Sequence, residues 1–378
     1  MFVDLYAIQA VPPSNINRDD TGSPKTAYYG GTLRSRVSSQ AWKKAIRHEF
    51  EHTVPKNEIG YRTKVAVSLI QREIDAERPD LVEQSEELAT AAIEASGLKV
   101  EASTRAGEQS GAPVTQYLIF IGAREIQGLA AVAISWADQG ENLKKPSAAM
   151  KKEVLSVFHG PKALDIALFG RMLADIPQLN EDASAQVAHA ISVDKVAQEY
   201  DYFTAVDDCA QDDNAGAAMI DTVGFNSSTL YRYATVNVDS LAEQLGDADA
   251  AAKGLVAFTE AFIRSMPTGK QNSFANRTLP STVVIALRDE QPVNVVDAFQ
   301  DAIRPEEGES VARKAAQALG RKLKEVGQAY DAVPIKAWNI VADKPVEQLN
   351  AISKTVDLAQ AKAELGETVL ASLTKGQE

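Results

Sequence analysis

The first apolar run of the chain predicts a strand, and the polar stretch after it predicts a loop. Residues 2–11 (FVDLYAIQAV) combine apolar, aromatic and β-branched side chains and end at a Pro-Pro pair, so we expect a buried strand. Residues 15–37 are largely polar and contain a Gly-Gly pair, which predicts a long loop.

A helix is predicted directly after this loop. Ser38 or Ser39 suits the N-cap, and an apolar stripe follows at positions i, i+4 and i+8. The stripe consists of Trp42, Ile46 and Phe50. The cationic residues of the helix lie off the stripe, so we expect the helix to bury its aromatic side. It would present cations and its positive N-terminal end outward.

Helical patterns dominate residues 56–160, which we interpret as an insertion between two parts of a sheet. Residues 62–97 are helical in pattern with one proline break, and 101–113 form a polar loop. A strand that passes into a helix is predicted over 116–137, and a lysine-rich amphipathic helix over 141–158.

The sheet is predicted to resume after the insertion. We expect strands at 163–175, at 229–238, where side chains alternate in polarity, and at 281–289. Residues 201–226 are acidic and contain glycine, which predicts a loop, and 247–265 predict a helix. The remainder is mostly helical. This order is compatible with an α+β fold of the split β-α-β type, ferredoxin-like or RRM-like.

One segment of this acidic chain contains no acidic residue. The chain has 378 residues and a formal net charge of −13, from 52 Asp and Glu against 39 Lys and Arg. No acid occurs in the 28 positions from Thr21 to His48, where about four are expected at the average frequency. The segment carries Lys25, Arg34, Arg36, Lys43, Lys44 and Arg47. A polyanionic partner is the simplest reason, and six contacts with single-stranded phosphates would give a salt slope of about −4.

Cysteine content and hydropathy favour the cytoplasm. The single cysteine, Cys209, excludes an intrachain disulfide and a cysteine-based zinc site, which fits a reducing compartment. The N-terminal stretch lacks a basic region and carries Asp4 within its apolar run, so we expect no signal peptide. No apolar run approaches the roughly 18 residues of a membrane span, so no membrane partner is expected.

Two patterns leave a metal-dependent enzyme open as the alternative function. HEFEH at 48–52 matches the zinc-peptidase pattern H-E-x-x-H, although neighbouring cations and a nearby helix end disfavour a dication. The pair Asp19-Asp20 adjoins the basic segment and could hold Mg²⁺ for RNA cleavage, although adjacent acids more often form turns. The alternatives are thus a zinc peptidase at His48 and His52 or a ribonuclease at Asp19 and Asp20.

The loop at 265–277 matches a Walker phosphate loop only in part. Gly269 and Lys270 are adjacent, but Arg264 and Gln271 replace the required Gly and Ser or Thr, which excludes a nucleotide site. Some polar residues of the loop still suit contact with phosphate, namely Lys270, Gln271, Asn272 and Arg277.

Arg171-Met172 and Tyr202-Phe203 each have two interpretations. They are either ordinary strand and core residues, or a phosphate-binding cation with an apolar wedge and aromatic stacking residues for nucleic acid bases. The residues alone favour the first interpretation.

Several longer segments, taken in chain order, resemble one protein family. They are NINRDD (15–20), YGG (29–31), RSRVSSQ (34–40), WKKAIR (42–47), DIALFGRM (165–172), VAHAIS (187–192), YFTAVDD (202–208) and LYRYATVNV (230–238). Together with Lys25 they resemble the CasC-like backbone subunit of the type I-E CRISPR interference complex, Cascade, one of the RAMP proteins. The resemblance spans most of the chain and is weakest in the helical insertion and the C-terminal tail.

The resemblance implies an α+β fold in which a modified RRM or ferredoxin-like palm carries a helical fingers insertion and a thumb β-hairpin. The implied boundaries are 1–55, 161–192 and 227–378 for the palm, with C-terminal helices in the last part, 56–160 for the fingers and 193–226 for the thumb. The implied function is antiviral defence, without catalysis, cofactor or metal.

The implied partners are a CRISPR RNA, further copies of the chain and other Cascade subunits. Copies would line up head to tail in a helical filament along one RNA and leave its bases free to pair with a target DNA strand.

The resemblance also implies which residues contact RNA. Contacts with the phosphate backbone are implied for Lys25, Ser38, Gln40, Lys43, Lys44 and Arg47, and Arg18 in the matching loop is expected to be a structural residue or a further phosphate contact. Met172, beside the candidate cation Arg171, matches an apolar residue that packs against a displaced nucleotide. Tyr202, Phe203 and Thr204 match the tip of the thumb, where some relatives carry Trp in place of Tyr. An Asp in a comparable loop cleaves RNA in type III relatives, but here Asp19 and Asp20 are expected to shape the loop.

Overall fold

The structure is a computed structural model that describes residues 1–103, 111–205 and 219–375. Its strands are β1 (Phe2–Ser14), β2 (Thr26–Tyr29), β3 (Thr32–Val37), β4 (Gly60–Thr63), β5 (Val100–Ala102), β6 (Pro113–Thr115), β7 (Ile119–Gly122), β8 (Ala185–Val187), β9 (Ala190–Ser192), β10 (Glu199–Ala205), β11 (Met219–Asn237), β12 (Thr282–Arg288) and β13 (Lys336–Val341). Its helices are α1 (Ser39–Thr53), α2 (Ala66–Glu77), α3 (Ser85–Ala95), α4 (Ala123–Gln139), α5 (Ala148–Phe158), α6 (Leu164–Phe169), α7 (Val238–Leu245), α8 (Ala248–Arg264), α9 (Gln271–Phe274), α10 (Val311–Tyr330), α11 (Glu347–Asn350) and α12 (Leu358–Lys375). The centre of the predicted 101–113 loop and the distal part of the predicted thumb, 206–218, lie outside the described residues.

A large sheet organises the fold, and β1 is one of its interior strands. The strand order is β13-β12-β1-β11-β9-β3-β2, and β8 and β10 also pair with β11. β1 is antiparallel to both neighbours, so that Ser14 pairs with Asn226 of β11 and Ile8 pairs with Thr282 of β12. The C-terminal end of β1 therefore lies beside the N-terminal part of β11 and close to the start of β12. The α+β fold class is confirmed.

The sheet belongs to a compact unit made of residues 1–49, 186–238 and 255–378. One face packs against α10 through a buried apolar cluster in which the rings of Tyr231 and Phe299 lie 5.0 Å apart. The central parts of β1 and β11, residues 3–9 and 228–236, are buried throughout, so the sheet is covered on both faces there.

Helices α1 and α8 cover the other face of the sheet around a buried arginine. The Arg232 guanidinium of β11 lies 3.7 Å from the ring centroid of Trp42 and 4.5 Å from that of Phe262. It donates to Gln9 Oε1 at 2.7 Å and to the carbonyl oxygen of Phe262. Cation–π contacts and hydrogen bonds thus take the place of a counter-ion for this buried charge.

A second compact unit comprises residues 50–185 and 239–254 and contains the predicted helical insertion. Its helices α2 to α5 enclose an apolar cluster that includes Ile70, Leu129 and Phe158. The predicted helices are confirmed here, with a 3-10 turn beginning at the proline break, Pro79. The predicted passage from strand to helix corresponds to β7 and α4.

The prediction of a long loop over 15–37 is wrong, because the segment contains the hairpin of β2 and β3. The turn consists of Gly30 and Gly31, with φ angles of 56° and 72°. Two successive residues with positive φ form the two-residue turn whose twist matches that of paired strands. The Gly-Gly pair therefore closes a hairpin rather than giving a flexible loop.

Two further predictions are wrong for the residues that the structure describes. The apolar run within 163–175 forms helix α6, all six residues of which are buried, because a short apolar run suits a buried helix as well as a strand. Residues 199–205 and 219–226 form paired strands rather than a loop. Strand β13 was not predicted at all.

Of the helices that the structure describes, none is long and apolar enough to span a bilayer. The remaining strand and helix predictions are confirmed in type, including β1, α1, α8, β12 and the second half of β11.

The hairpin turn offers a matched pair of substitutions. A Cβ atom at Gly30 would lie 1.6 Å from the carbonyl oxygen of Gln300, whereas a Cβ at Gly31 would meet no heavy atom within 4 Å. We expect Gly31→Ala to lower the free energy of unfolding by about 1–2 kcal/mol, the cost of a left-handed residue. Gly30→Ala should cost more, because the main chain must also move. Denaturant unfolding measures both, and equal losses would contradict the close approach to Gln300.

Candidate nucleic-acid interface

The loop from β1 to β2 is held in shape by Asp19. Its Oδ1 accepts hydrogen bonds from the Thr21 amide at 2.9 Å, the Thr21 hydroxyl at 2.7 Å and the Ser23 amide at 3.0 Å. The bond from the Thr21 hydroxyl is the largest cause that lowers the pKa of Asp19. The carboxylate is thus used to form a turn, while Arg18 is exposed and Lys25 is half-buried on the same loop.

This loop is joined to the start of α1 through Ser38. The Ser38 amide donates to Asn17 Oδ1 at 2.8 Å, and the Ser38 hydroxyl accepts from the Ala41 amide at 3.3 Å. Ser38 is therefore the N-cap, one of the two predicted positions, and its side chain is mostly buried. Gln40 is exposed in the first turn, which contains no acid that would offset the positive end of the helix dipole.

The predicted phase of α1 is confirmed. The buried stripe consists of Trp42, Ile46 and Phe50. Lys44 is exposed, and Lys43 and Arg47 are half-buried beside the stripe. Three cations therefore lie within the first three turns of one helix, next to Arg18 and Lys25 in the preceding loop.

Arg34, a cation of the acid-free segment, does not belong to this surface. Its side chain is fully buried and donates to the carbonyl oxygens of Ser192 at 2.8 Å and of Phe299 and Gln300 at 3.0 Å. A further bond goes to the Thr32 hydroxyl at 2.8 Å. Arg34 thus ties the hairpin to the unit, and the five remaining cations predict a salt slope of about −3.5 on single-stranded RNA.

His189, to which the sequence interpretation assigned no role, lies beside one of these cations. Arg36 Nη1 is 3.2 Å from His189 Nδ1, so with the arginine as donor the ring nitrogen must be unprotonated. Burial is the largest cause that lowers the pKa of His189, and the charges of Arg36 and Lys25 lower it further. Its position in the VAHAIS segment was the one signal that pointed to it.

Arg171, in the second unit, is buried rather than presented to solvent. Its Nη1 donates to both carboxylate oxygens of Glu125 at 2.8 Å, and its Nη2 lies 3.5 Å from Glu181. Its Nε donates to the Leu179 carbonyl at 2.8 Å and its Nη1 to that of Phe120 at 3.2 Å. Because the side chain is buried and its Nε and Nη1 donate inside the unit, Arg171 is poorly placed for a phosphate contact.

Met172 follows the buried Arg171 and projects outward. Its neighbours Arg171 and Leu173 are buried, whereas Met172 is 85% exposed. Met172 and Leu118 line two adjacent cavities of about 420 and 370 Å³. An apolar side chain that projects from a fixed main chain between two cavities can pack against a planar base without rearrangement.

The predicted thumb residues lie on β10. Tyr202 and Thr204 are exposed and Phe203 is half-buried, on a strand paired with β11 and preceding residues 206–218. The base of this hairpin is tied to the loop after β1, because Asn15 Nδ2 donates to the Gly224 carbonyl at 2.9 Å.

Comparison with known proteins identifies the family of the chain. A model of the CT1975-like protein family matches residues 3–369. The chain belongs to this family. A chain of a CRISPR RNA-guided surveillance complex, pre-nicking, is 33% identical, with a TM-score of 0.82 over 97% of this chain and 100% of that chain. A chain of another CRISPR RNA-guided surveillance complex is 28% identical, with a TM-score of 0.71 over 98% of this chain and 100% of that chain. No curated protein matches the chain.

In this CT1975-like chain the two patterns that suggested a metal site can be located. His48 and His52 are exposed near the end of α1, and Asp19 forms the turn described above. Within residues 1–103, 111–205 and 219–375, no three His, Cys, Asp or Glu side chains lie close enough together to hold a metal ion.

The buried Arg171 pair predicts a large loss of stability on truncation. Arg171→Met would leave Glu125 buried without its cation, and we expect a loss of about 3–5 kcal/mol in the free energy of unfolding. The matched control is Arg124→Met, since the exposed Arg124 guanidinium lies 3.8 Å from Glu58. The control should lose at most about 1 kcal/mol by denaturant unfolding. Similar losses in both variants would contradict the buried position of Arg171.

The pKa of His189 should lie below its ordinary value of 6.5 in the folded chain. NMR titration of labelled histidines measures it, with His189→Gln to assign the signal. Because the unfolded chain then binds more protons, this group should reduce stability as pH falls from 6.5 through the folded pKa. Arg36→Met should raise the pKa of His189 only in part, since burial is the larger cause. A pKa above 6.5 in the wild type would contradict the geometry.

Proposed function

We propose that this chain is the RNA-binding backbone subunit of a type I-E Cascade. Several copies would assemble head to tail along one CRISPR RNA and present its bases to a target DNA strand. The observation that carries the proposal is the acid-free segment from Thr21 to His48, which comprises the end of the loop after β1, the β2-β3 hairpin and the first turns of α1. The similarity of the chain to chains of CRISPR RNA-guided surveillance complexes supports guide RNA as the polyanion.

The proposed contacts are electrostatic and independent of base sequence. Arg18, Lys25, Lys43, Lys44 and Arg47 would neutralise phosphates, and amides at the start of α1 would donate to phosphate oxygens. Such contacts fix the position of the RNA and leave its base edges free, as pairing with a target requires. Gln40 would act as a hydrogen-bond donor beside these cations. Ser38 would act mainly by capping the helix that carries them.

The thumb and Met172 would together displace nucleotides at intervals. In a head-to-tail assembly, one surface of each copy contacts a different surface of the next copy. The thumb residues of one copy can therefore reach the RNA that the next copy holds. These residues are Tyr202, Phe203 and Thr204. Aromatic stacking and the Met172 side chain would then hold an unstacked base. In this arrangement the large sheet acts as an RRM-like palm and the second unit acts as the fingers. Arg171 would contribute by anchoring Met172, not by binding phosphate.

We propose a non-catalytic role in antiviral defence, in the cytoplasm, without cofactor or metal, beside other Cascade subunits. The involvement of Asp19 in a turn supports this over a ribonuclease, since its Oδ1 already accepts three hydrogen bonds. Stoichiometric zinc lost on His52→Ala, or Mg²⁺-dependent RNA cleavage lost on Asp20→Asn, would favour an enzyme instead.

Native mass spectrometry of the purified complex tests the assembly directly. We expect one RNA with several copies of this chain, because each copy covers only a short length of backbone. A monomer without nucleic acid that fails to assemble when guide RNA and partner subunits are supplied would overturn the proposal.

Removal of two α1 cations should weaken binding with a characteristic salt dependence. We expect Lys43→Ala with Arg47→Ala to reduce the slope of log K against log salt by about 1.4, or about 0.7 per phosphate contact. Fluorescence anisotropy of labelled single-stranded RNA measures the slope. The control is Arg321→Ala with Lys324→Ala on α10, where both side chains are exposed. An unchanged slope in the α1 variant would remove this helix from the interface.

A further inference from the structure

A second acid-free segment leads into β12. No Asp or Glu occurs over residues 261–288, 28 positions in which about four are expected at the chain's average frequency. Part of this segment is buried in α8 and β12, where acids are not expected. The loop between those two elements is largely exposed, however, and carries Lys270 and Arg277. Burial therefore does not explain the absence of acids from the loop.

The main chain of this loop adopts a costly conformation. Lys270 and Ala275 have φ angles of 51° and 48°, and they flank the four-residue helix α9. Left-handed residues other than glycine are uncommon, and they persist where the surrounding structure fixes them, often at binding sites. The strain indicates that this loop conformation is maintained for a function.

Neighbouring segments hold the loop against the candidate interface. A Cβ at Gly269 would lie 2.5 Å from the Ile16 carbonyl oxygen and 2.7 Å from that of Asn15, so the two main chains are in direct contact. On the other side, the rings of Phe274 and Phe225 lie 5.8 Å apart, at the base of the thumb hairpin. The 268–277 loop thus lies beside the loop that carries Arg18 and Lys25.

The exposed side of the loop has donors suited to phosphate. Gln271, Asn272 and Ser273 are exposed, and the Arg277 side chain is 68% exposed. Arg277 Nη2 lies 3.6 Å from Glu49 Oε2 on α1, which places the guanidinium next to that helix at a distance too long for a hydrogen bond. The Glu49 side chain is only 18% exposed, but the pair is long and its arginine faces solvent, so a phosphate can compete for the guanidinium.

We propose that the 268–277 loop is a second element that binds the phosphate backbone of single-stranded RNA, next to the loop after β1 and α1. Lys270 supplies a point charge, Arg277 supplies a forked donor, and the Gln271 and Asn272 amides donate to phosphate or ribose oxygens. The proposal rests on the proposed function, since the RNA is the same molecule.

The test removes charge without adding strain. Asn tolerates the left-handed region, so Lys270→Asn with Arg277→Gln removes both cations and keeps the backbone conformation accessible. Labelled single-stranded RNA is titrated over a range of salt concentrations by anisotropy. We expect the slope of log K against log salt to fall by about 1.4 in the double variant. For Arg277→Gln alone, which leaves the strained position intact, the expected fall is about 0.7.

Two comparisons make the outcome decisive. Arg321→Gln with Lys324→Gln changes the net charge equally on α10 and should leave the slope unchanged. An unchanged slope in both loop variants, with a reduced slope in the variant of Lys43 and Arg47, would overturn this proposal and leave the proposed function intact. Failure of the wild-type chain to bind RNA would overturn both.

Discussion

The antiparallel pairing of β1 on both of its edges is the constraint on which the interface depends. Backbone hydrogen bonds to β11 and β12 fix the register, with Ser14 opposite Asn226 and Ile8 opposite Thr282. The loop after β1, the base of the thumb hairpin and the 268–277 loop are thereby brought to one end of the sheet. A slip of register by one residue would exchange the faces of β1 and separate these segments. Segments more than 200 positions apart in the chain become neighbours in this way.

Three arginines have a structural role because of the groups that the fold places around them. Arg34, Arg171 and Arg232 are all buried. Arg34 donates hydrogen bonds to main-chain carbonyls, Arg171 pairs with two glutamates, and Arg232 packs against aromatic rings. Because a buried guanidinium is retained only with such partners, these residues stabilise the fold instead of contacting a ligand. The cations proposed to contact RNA are, apart from Arg18, in two segments without acids, which concentrates positive potential on a chain whose net charge is −13.

Secondary structure was predicted correctly from the residues where the spacing of apolar side chains fitted a helix and excluded a strand. The spacing of Trp42, Ile46 and Phe50, with polar residues at positions 44 and 48, predicts a helix that buries these three side chains, as observed. Lys43 and Arg47, predicted to face outward, are half-buried beside them. Prediction failed where a local pattern suits two structures. Residues 164–169 are apolar except for Asp165 and form a helix, and the Gly-Gly pair closes a hairpin. His189 was overlooked because its nearness to Arg36 arises from the pairing of β3 with β9.

The sequence by itself determined the α+β class, the strand β1, the amphipathic α1, the acid-free segment and, through its longer motifs, the family. These properties depend on composition and on neighbours a few positions apart. Only the tertiary structure decided which cations are buried, which turn Asp19 forms, and that residues near 16, 224 and 269 meet. Burial and hydrogen-bond partners arise from contacts between distant segments, and strand pairing, not local propensity, selects those contacts.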